Sequence, residues 1–220
     1  MERAIDTHLD DLKKLILTMG GHVEKALAQA IAALMTRDKN QFSEVHEIEK
    51  NINAAHLRVD EACLGILAKQ GPVAKDLRLI LSIIKINTDL ERMGDQSVNI
   101  AYTGKDYLDR RALNHLSDIK KMADISRVMV KESLDSFVRG DCALAKKVLL
   151  MDDEVDQLKN KIFQDMTAHM KVHSQDVEAS LDLILIARNL ERLGDHATNI
   201  AEDVIFAFSG KDVRHGGKFD

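Results

Sequence analysis

Tryptophan is absent from this chain, proline occurs once, cysteine twice, and aromatic residues make up only 4% of its 220 residues. Each scarcity excludes something. Strand-rich sandwiches draw on aromatic and turn-forming residues, whereas a chain built on Leu, Ala, Lys, Asp and Glu with one proline has the composition of long helices. The two cysteines, Cys63 and Cys142, are far apart and lack zinc-type spacing, so they read as ordinary buried thiols in a reducing compartment. No run of roughly 18 apolar residues occurs, and Met1 to Asp6 carries no signal-like apolar core, so a soluble intracellular protein without direct membrane insertion is expected. The formal net charge of -5 is mild and both signs are interspersed, which leaves no basic face for a nucleic-acid backbone.

What the chain does have is a repeat. Leu90-Glu91-Arg92-Met93-Gly94-Asp95 returns one hundred residues later as Leu190-Glu191-Arg192-Leu193-Gly194-Asp195, and eight of fifteen positions agree between Asn87–Ala101 and Ala187–Ala201. Repetition at that period means two copies of one structural unit.

Apolar residues at three-then-four spacing predict six helices. The first runs from Ile5 to Leu34, with Gly20-Gly21 inside it marking a weak point or a close approach by a neighbour. The second, from about Gln41 to Lys69, ends at Gly71-Pro72, because glycine suits the position after a helix and proline cannot continue one. A third passes through the first hexamer to Leu108. Helices four, five and six repeat the plan, with turns at Arg139–Asp141 and Lys171–Ser174. The expected fold is all-α, two tandem antiparallel three-helix bundles: residues 1–110, residues 111–210, and a flexible polar tail at 211–220.

Glu91 and Asp95 are four residues apart, as are Glu191 and Asp195, so each pair shares one helix face. Two like charges there invite a cation. If the turn near Pro72 sets the hairpin register, Glu49 faces Asp95 and Asn53 faces Glu91; a turn near His173 sets Asp152 level with Gly194, beside Asp195, and Asp156 beside Glu191. Asn99 and Asn199 extend the ladders. Oxygen donors of this kind suit magnesium, calcium, manganese or iron and leave zinc open. The alternative is that the glutamates pair with lysines or arginines of a neighbouring helix. Arg92 and Arg192, about 100° round the helix, read as surface ion pairs, and His196 lies off the ligand face. Asp76 and Asp176 read as caps at helix starts.

Met19-Gly20-Gly21, Val59-Asp60-Glu61-Ala62-Cys63, Asp76-Leu77-Arg78-Leu79 and the twin hexamers together resemble the PhoU family of bacterial phosphate-signalling regulators, over nearly the whole chain. The resemblance implies two three-helix bundles and multinuclear metal sites, with divalent or trivalent ions such as iron, manganese, magnesium or zinc held around Glu91/Asp95 and Glu191/Asp195. It also implies a cytoplasmic, homodimeric adaptor. Such an adaptor would link the ATPase subunit of a phosphate ABC transporter to a sensor histidine kinase and keep the starvation response off when phosphate is plentiful. Asn53 stands where the second ladder has Asp156, and Asn189 where the first half has Asp89, so the two sites need not fill equally. Two other classes compete. A di-metal oxidoreductase of the ferritin type requires inward Glu-x-x-His motifs, and the chain has none. A metal-free structural bundle would leave the acids solvated.

Overall fold

A computed structural model describes residues 3–113 and 115–214. Six helices account for most of them: α1 (Ala4–Thr36), α2 (Phe42–Gln70), α3 (Ala74–Leu108), α4 (Leu116–Arg139), α5 (Cys142–Val172) and α6 (Val177–Ser209). The bounds lie within a few residues of those expected from periodicity. At 1.5 Å per residue, the 33 residues of α1 span about 50 Å.

The breaks have local causes. Arg37 closes α1 in the left-handed region, at φ 57°, and Asp38 then accepts from the Asn40 amide to start a short 3-10 turn. Gly71 ends α2 at φ 54°, and Pro72 keeps the chain from re-entering the helix. Asp141 caps α5 by accepting from the Ala143 and Leu144 amides. Gly20 does not weaken α1, which runs unbroken through it. A Cβ there would stand 2.2 Å from Leu134 Cδ1, so the missing side chain lets α4 approach.

The halves are not two beads on a string. One continuous core runs from Ile5 through Ile52, Leu90, Met129 and Val155 to Val213. The most extensive helix contact in the molecule is α3 against α6, one from each half, and α1 also packs on α4. The α3–α6 pair runs antiparallel: Ser82 Oγ donates to Asp203 O at 3.1 Å, Lys85 Nζ meets Asp203 Oδ1 at 3.0 Å, and His196 Nδ1 meets Asp89 Oδ1 at 2.8 Å. Arg110, in the linker, clamps the same interface by donating to Asp182 Oδ2 at 2.6 Å and to Glu178.

The tail departs from expectation at its start. Val213 is buried in the shared core, while Lys211 and Asp212 on its N-terminal side are exposed; residues 215–220 lie outside the described residues. No helix among the described residues is long and apolar enough to cross a membrane.

The acidic ladders and the cleft between the hexamers

In the second half the α5–α6 hairpin has the register that turn arithmetic requires. Asp152 Oδ1 lies 3.4 Å from the point where a Gly194 Cβ would sit, with Val155 beside it at 3.5 Å. Asp156 and Glu191 stand across from each other and are joined by Lys159, whose Nζ is 2.8 Å from Asp156 Oδ1 and 2.8 Å from Glu191 Oε1. This ammonium is the internal cation of the ladder. One Lys does not neutralise four carboxylates. Burial, then the charges of Asp195, Asp156, Asp153 and Glu191, push the Asp152 carboxyl up to about 6. Asp195 is raised as well, by burial first and then by Glu191 and Asp156.

In the first half Ile52 stands against Gly94, its carbons 3.1 and 3.2 Å from a Cβ position there, where the second half has Asp152 against Gly194; Glu49 and Asn53 make no bond to Asp95 or Glu91 among the described residues, and the acids are satisfied along the helices. Asn53 Nδ2 donates to Glu49 Oε1 at 2.5 Å, and Arg92 reaches both Glu91, at 3.4 Å, and Asp95, at 3.3 Å. An asparagine brings its own donor, and Asn53 uses it on Glu49 within α2 rather than across the hairpin.

Among the described residues, no group of three or more His, Cys, Asp or Glu side chains is already arranged to hold a metal ion. The donor chemistry of the second ladder fits a hard cation all the same. Four carboxylates gather there, and Asp152 and Asp195 are raised by burial first and then by their acidic neighbours, which Lys159 does not offset. The first ladder, with Asn53 and Arg92 in place, fits one less well.

Asn199 and His196 do not extend the ladder. Both turn to the other half, where Asp89 Oδ1 accepts from Asn199 Nδ2 at 3.2 Å and meets His196 Nδ1. Asp76 and Asp176 make no side-chain cap; instead Arg3 grips Asp76 with two bonds of 2.8 and 3.0 Å, and His169 Nε2 meets Asp176 at 2.9 Å. Of the two cysteines only Cys63 is buried, its thiol pushed up to about 12; Cys142 is half-buried.

Because α3 and α6 cross antiparallel, the twin hexamers come together over a polar cleft of about 570 Å³. Arg92, Asp95, Gln96 and Asn99 line it from α3, and Arg192, Asp195, His196 and Asn199 from α6. Sequence reading could place each hexamer in its own hairpin but carried no signal for their meeting.

The fold and its ladders define a duplicated six-helix protein with a pseudo-symmetric acidic surface. Comparison with known proteins gives the family. The PhoU domain matches twice, at residues 16–103 and 119–204, and the chain belongs to the PhoU family. It is 35% identical to the phosphate-specific transport system accessory protein PhoU homolog of Pseudomonas putida over 99% of this chain and 85% of that protein. It is 32% identical to the accessory protein PhoU of Escherichia coli over 96% of this chain and 88% of that one. The crystal structure of PhoU from Pseudomonas aeruginosa superposes with a TM-score of 0.90 at 35% identity, covering 94% of this chain and 99% of that one. The phosphate transport system regulatory protein PhoU of Streptococcus pneumoniae does so at 0.87 and 26%, covering 94% and 98%. These relatives are named as accessory and regulatory proteins, and the family is not one of enzymes.

Proposed function

We propose that this protein is a cytoplasmic negative regulator of the phosphate-starvation response that also modulates phosphate uptake, joining the ATPase subunit of a phosphate ABC transporter to a sensor histidine kinase. The observation that carries this reading is the match of both halves to the PhoU domain, together with near full-length similarity to accessory proteins of the phosphate-specific transport system. An adaptor needs surfaces for partners. Leu57 and Leu64 on α2 and Leu150 and Phe163 on α5 are all more than half exposed, at 68%, 66%, 75% and 55%, and such side chains are the usual anchors of protein contacts. The same faces serve a homodimer.

The second ladder is the better metal site in this reading. Asp152, Asp156, Glu191 and Asp195 would hold a divalent or trivalent ion in exchange for the Lys159 ammonium, and the bound ion would fix the hairpin surface as a hard, charged anchor. Glu49, Asn53, Glu91 and Asp95 would form the weaker counterpart. Deleting the gene should derepress phosphate-starvation genes in high phosphate; normal repression in the deletion strain overturns the regulatory reading. For the metal, Glu191→Ala with Asp195→Ala should lower bound metal by elemental analysis while helical content by circular dichroism stays near that of the parent.

A further inference from the structure

Asp76 and Asp176 stand one hundred residues apart, at the starts of α3 and α6, and the two halves answer them differently. Arg3 covers both oxygens of Asp76 with one guanidinium, at 2.8 and 3.0 Å. Asp176, 3% exposed, has only His169 Nε2 on its Oδ2, at 2.9 Å, and its Oδ1 is buried without a hydrogen-bond partner. A guanidinium always carries its charge, whereas a neutral imidazole carries none. Two more histidines gather at the same place. His173 stacks on His169 with ring centroids 4.2 Å apart and planes at 15°, and His115, just before α4, meets His169 edge-on at 6.0 Å. All three rings are partly buried, and His115 Nδ1 is enclosed with no partner. Hydrogen bonding also decides which nitrogen is left over. The Asp176 carboxylate accepts from His169 Nε2, which leaves Nδ1 with a lone pair; the His169 carbonyl, an acceptor only, takes the N–H of His173 Nδ1 at 3.3 Å, which leaves His173 Nε2.

We propose that His115, His169 and His173 bind a divalent transition ion of the zinc class, with Asp176 as the carboxylate behind His169. His169 and His173 are four residues apart at the end of α5, the spacing at which two imidazoles on one helix face share a zinc ion. Imidazole nitrogens select zinc, copper or nickel over magnesium and calcium, so this chemistry differs from that of the acidic ladder. A metal-bound imidazole usually donates its other N–H to a carboxylate, and the His169–Asp176 bond is that pair already made. The charge of the ion would offset a buried carboxylate for which this half supplies no guanidinium. The rings do not yet converge on one point. Each sits at a helix end or turn, where rotation about χ1 and χ2 closes the set and water completes a four-coordinate sphere. The place lies about 20 Å along α5 from Asp156. An ion there would tie the start of α4 to the turn between α5 and α6. The assignment rests on the histidines and stands apart from both the regulatory role and the ladder.

Isothermal titration with zinc chloride tests it, on the full chain carrying Glu191→Ala and Asp195→Ala so that the second ladder is disabled. Zinc should bind with a dissociation constant of about 1 μM or tighter. His173→Ala and His115→Ala, each added to that background, should weaken binding about tenfold or more, and circular dichroism checks that both keep their helices. Cobalt(II) in place of zinc, in the unsubstituted chain, gives a readout that needs no histidine variant to fold. It should show the strong visible bands of a four-coordinate, nitrogen-rich site rather than the faint ones of a six-coordinate oxygen site. No zinc binding, binding unchanged in either histidine variant, or only faint cobalt bands overturns the proposal.

Discussion

Asp152 shows what it costs to gather four carboxylates on one hairpin. An ordinary aspartate titrates near 4, and this one is pushed up to about 6, so the folded protein holds a proton there that the unfolded chain has released. The stabilisation from that proton is complete below about pH 4 and is lost as pH rises through about 6. At neutral pH the charge is a burden. Asp152→Asn should therefore stabilise the metal-free protein at pH 7 by roughly 1 kcal/mol, a figure kept small because the group is partly exposed to water, and the gain should vanish below about pH 4. Urea unfolding at both pH values, in chelator, measures it. Lys159 gives the complementary experiment. Its ammonium now occupies the gap between Asp156 and Glu191, so Lys159→Met should raise metal content above that of the parent; unchanged or lower content would show that the ladder does not trade its lysine for an ion. The alternative reading, a glutamate paired with a lysine of a neighbouring helix, holds at Glu191; which lysine was not legible, because a Lys three residues beyond an Asp reads as a local surface pair, and only the folded hairpin brings Glu191 to the same nitrogen.

Helices were legible because their signals are local. Apolar spacing fixed the six elements, Gly71-Pro72 fixed a turn, and the turn near His173 fixed the α5–α6 register well enough to set Asp152 beside Gly194, whereas the first hairpin brings Ile52 against Gly94. Packing between helices that are distant in sequence was not legible. Nothing near Asp89 announces His196 and Asn199, and nothing near Asp76 announces Arg3, since those contacts arise only once α3 and α6, or the start of α1 and α3, are laid together. Gly20 and Gly21 separate the two kinds of information. Adjacent in the sequence and alike in propensity, they differ in surroundings: Gly20 faces Leu134, and Gly21 faces nothing within 4 Å. Gly21→Ala should stabilise the protein by about 0.5–1 kcal/mol, the ordinary helix-propensity gain at an exposed site. Gly20→Val should cost about 1–3 kcal/mol by forcing a side chain into the core against Leu134. Paired urea curves decide the matter, and equal effects at the two positions would mean that α4 does not press on α1.

Duplication made two bundles, but burial has made them one molecule. Lys85 is the counter-ion of Asp203, whose carboxylate is 4% exposed and raised by burial even with that partner. Lys85→Met would strand the charge and should cost about 1–3 kcal/mol at neutral pH, less than for a fully enclosed pair because the lysine itself is partly exposed. The loss should shrink in acid, where Asp203 takes up a proton. Further contacts of the same kind, Arg110 to Asp182 and Asp89 to His196, cross between the halves over a core with no seam. Such an interface should make unfolding one event. The aromatic content offers a clean test: the chain has no tryptophan, and its two tyrosines, Tyr102 and Tyr107, both belong to α3. Tyr107 is wholly buried, its hydroxyl accepting from the Leu113 amide at 2.9 Å, so tyrosine fluorescence reports the first half alone, while circular dichroism at 222 nm reports helices throughout. The two signals should fall together along one urea curve. Tyrosine and helix curves with separate midpoints would show that each half melts on its own, and that the α3–α6 contact, extensive as it is, does not couple them.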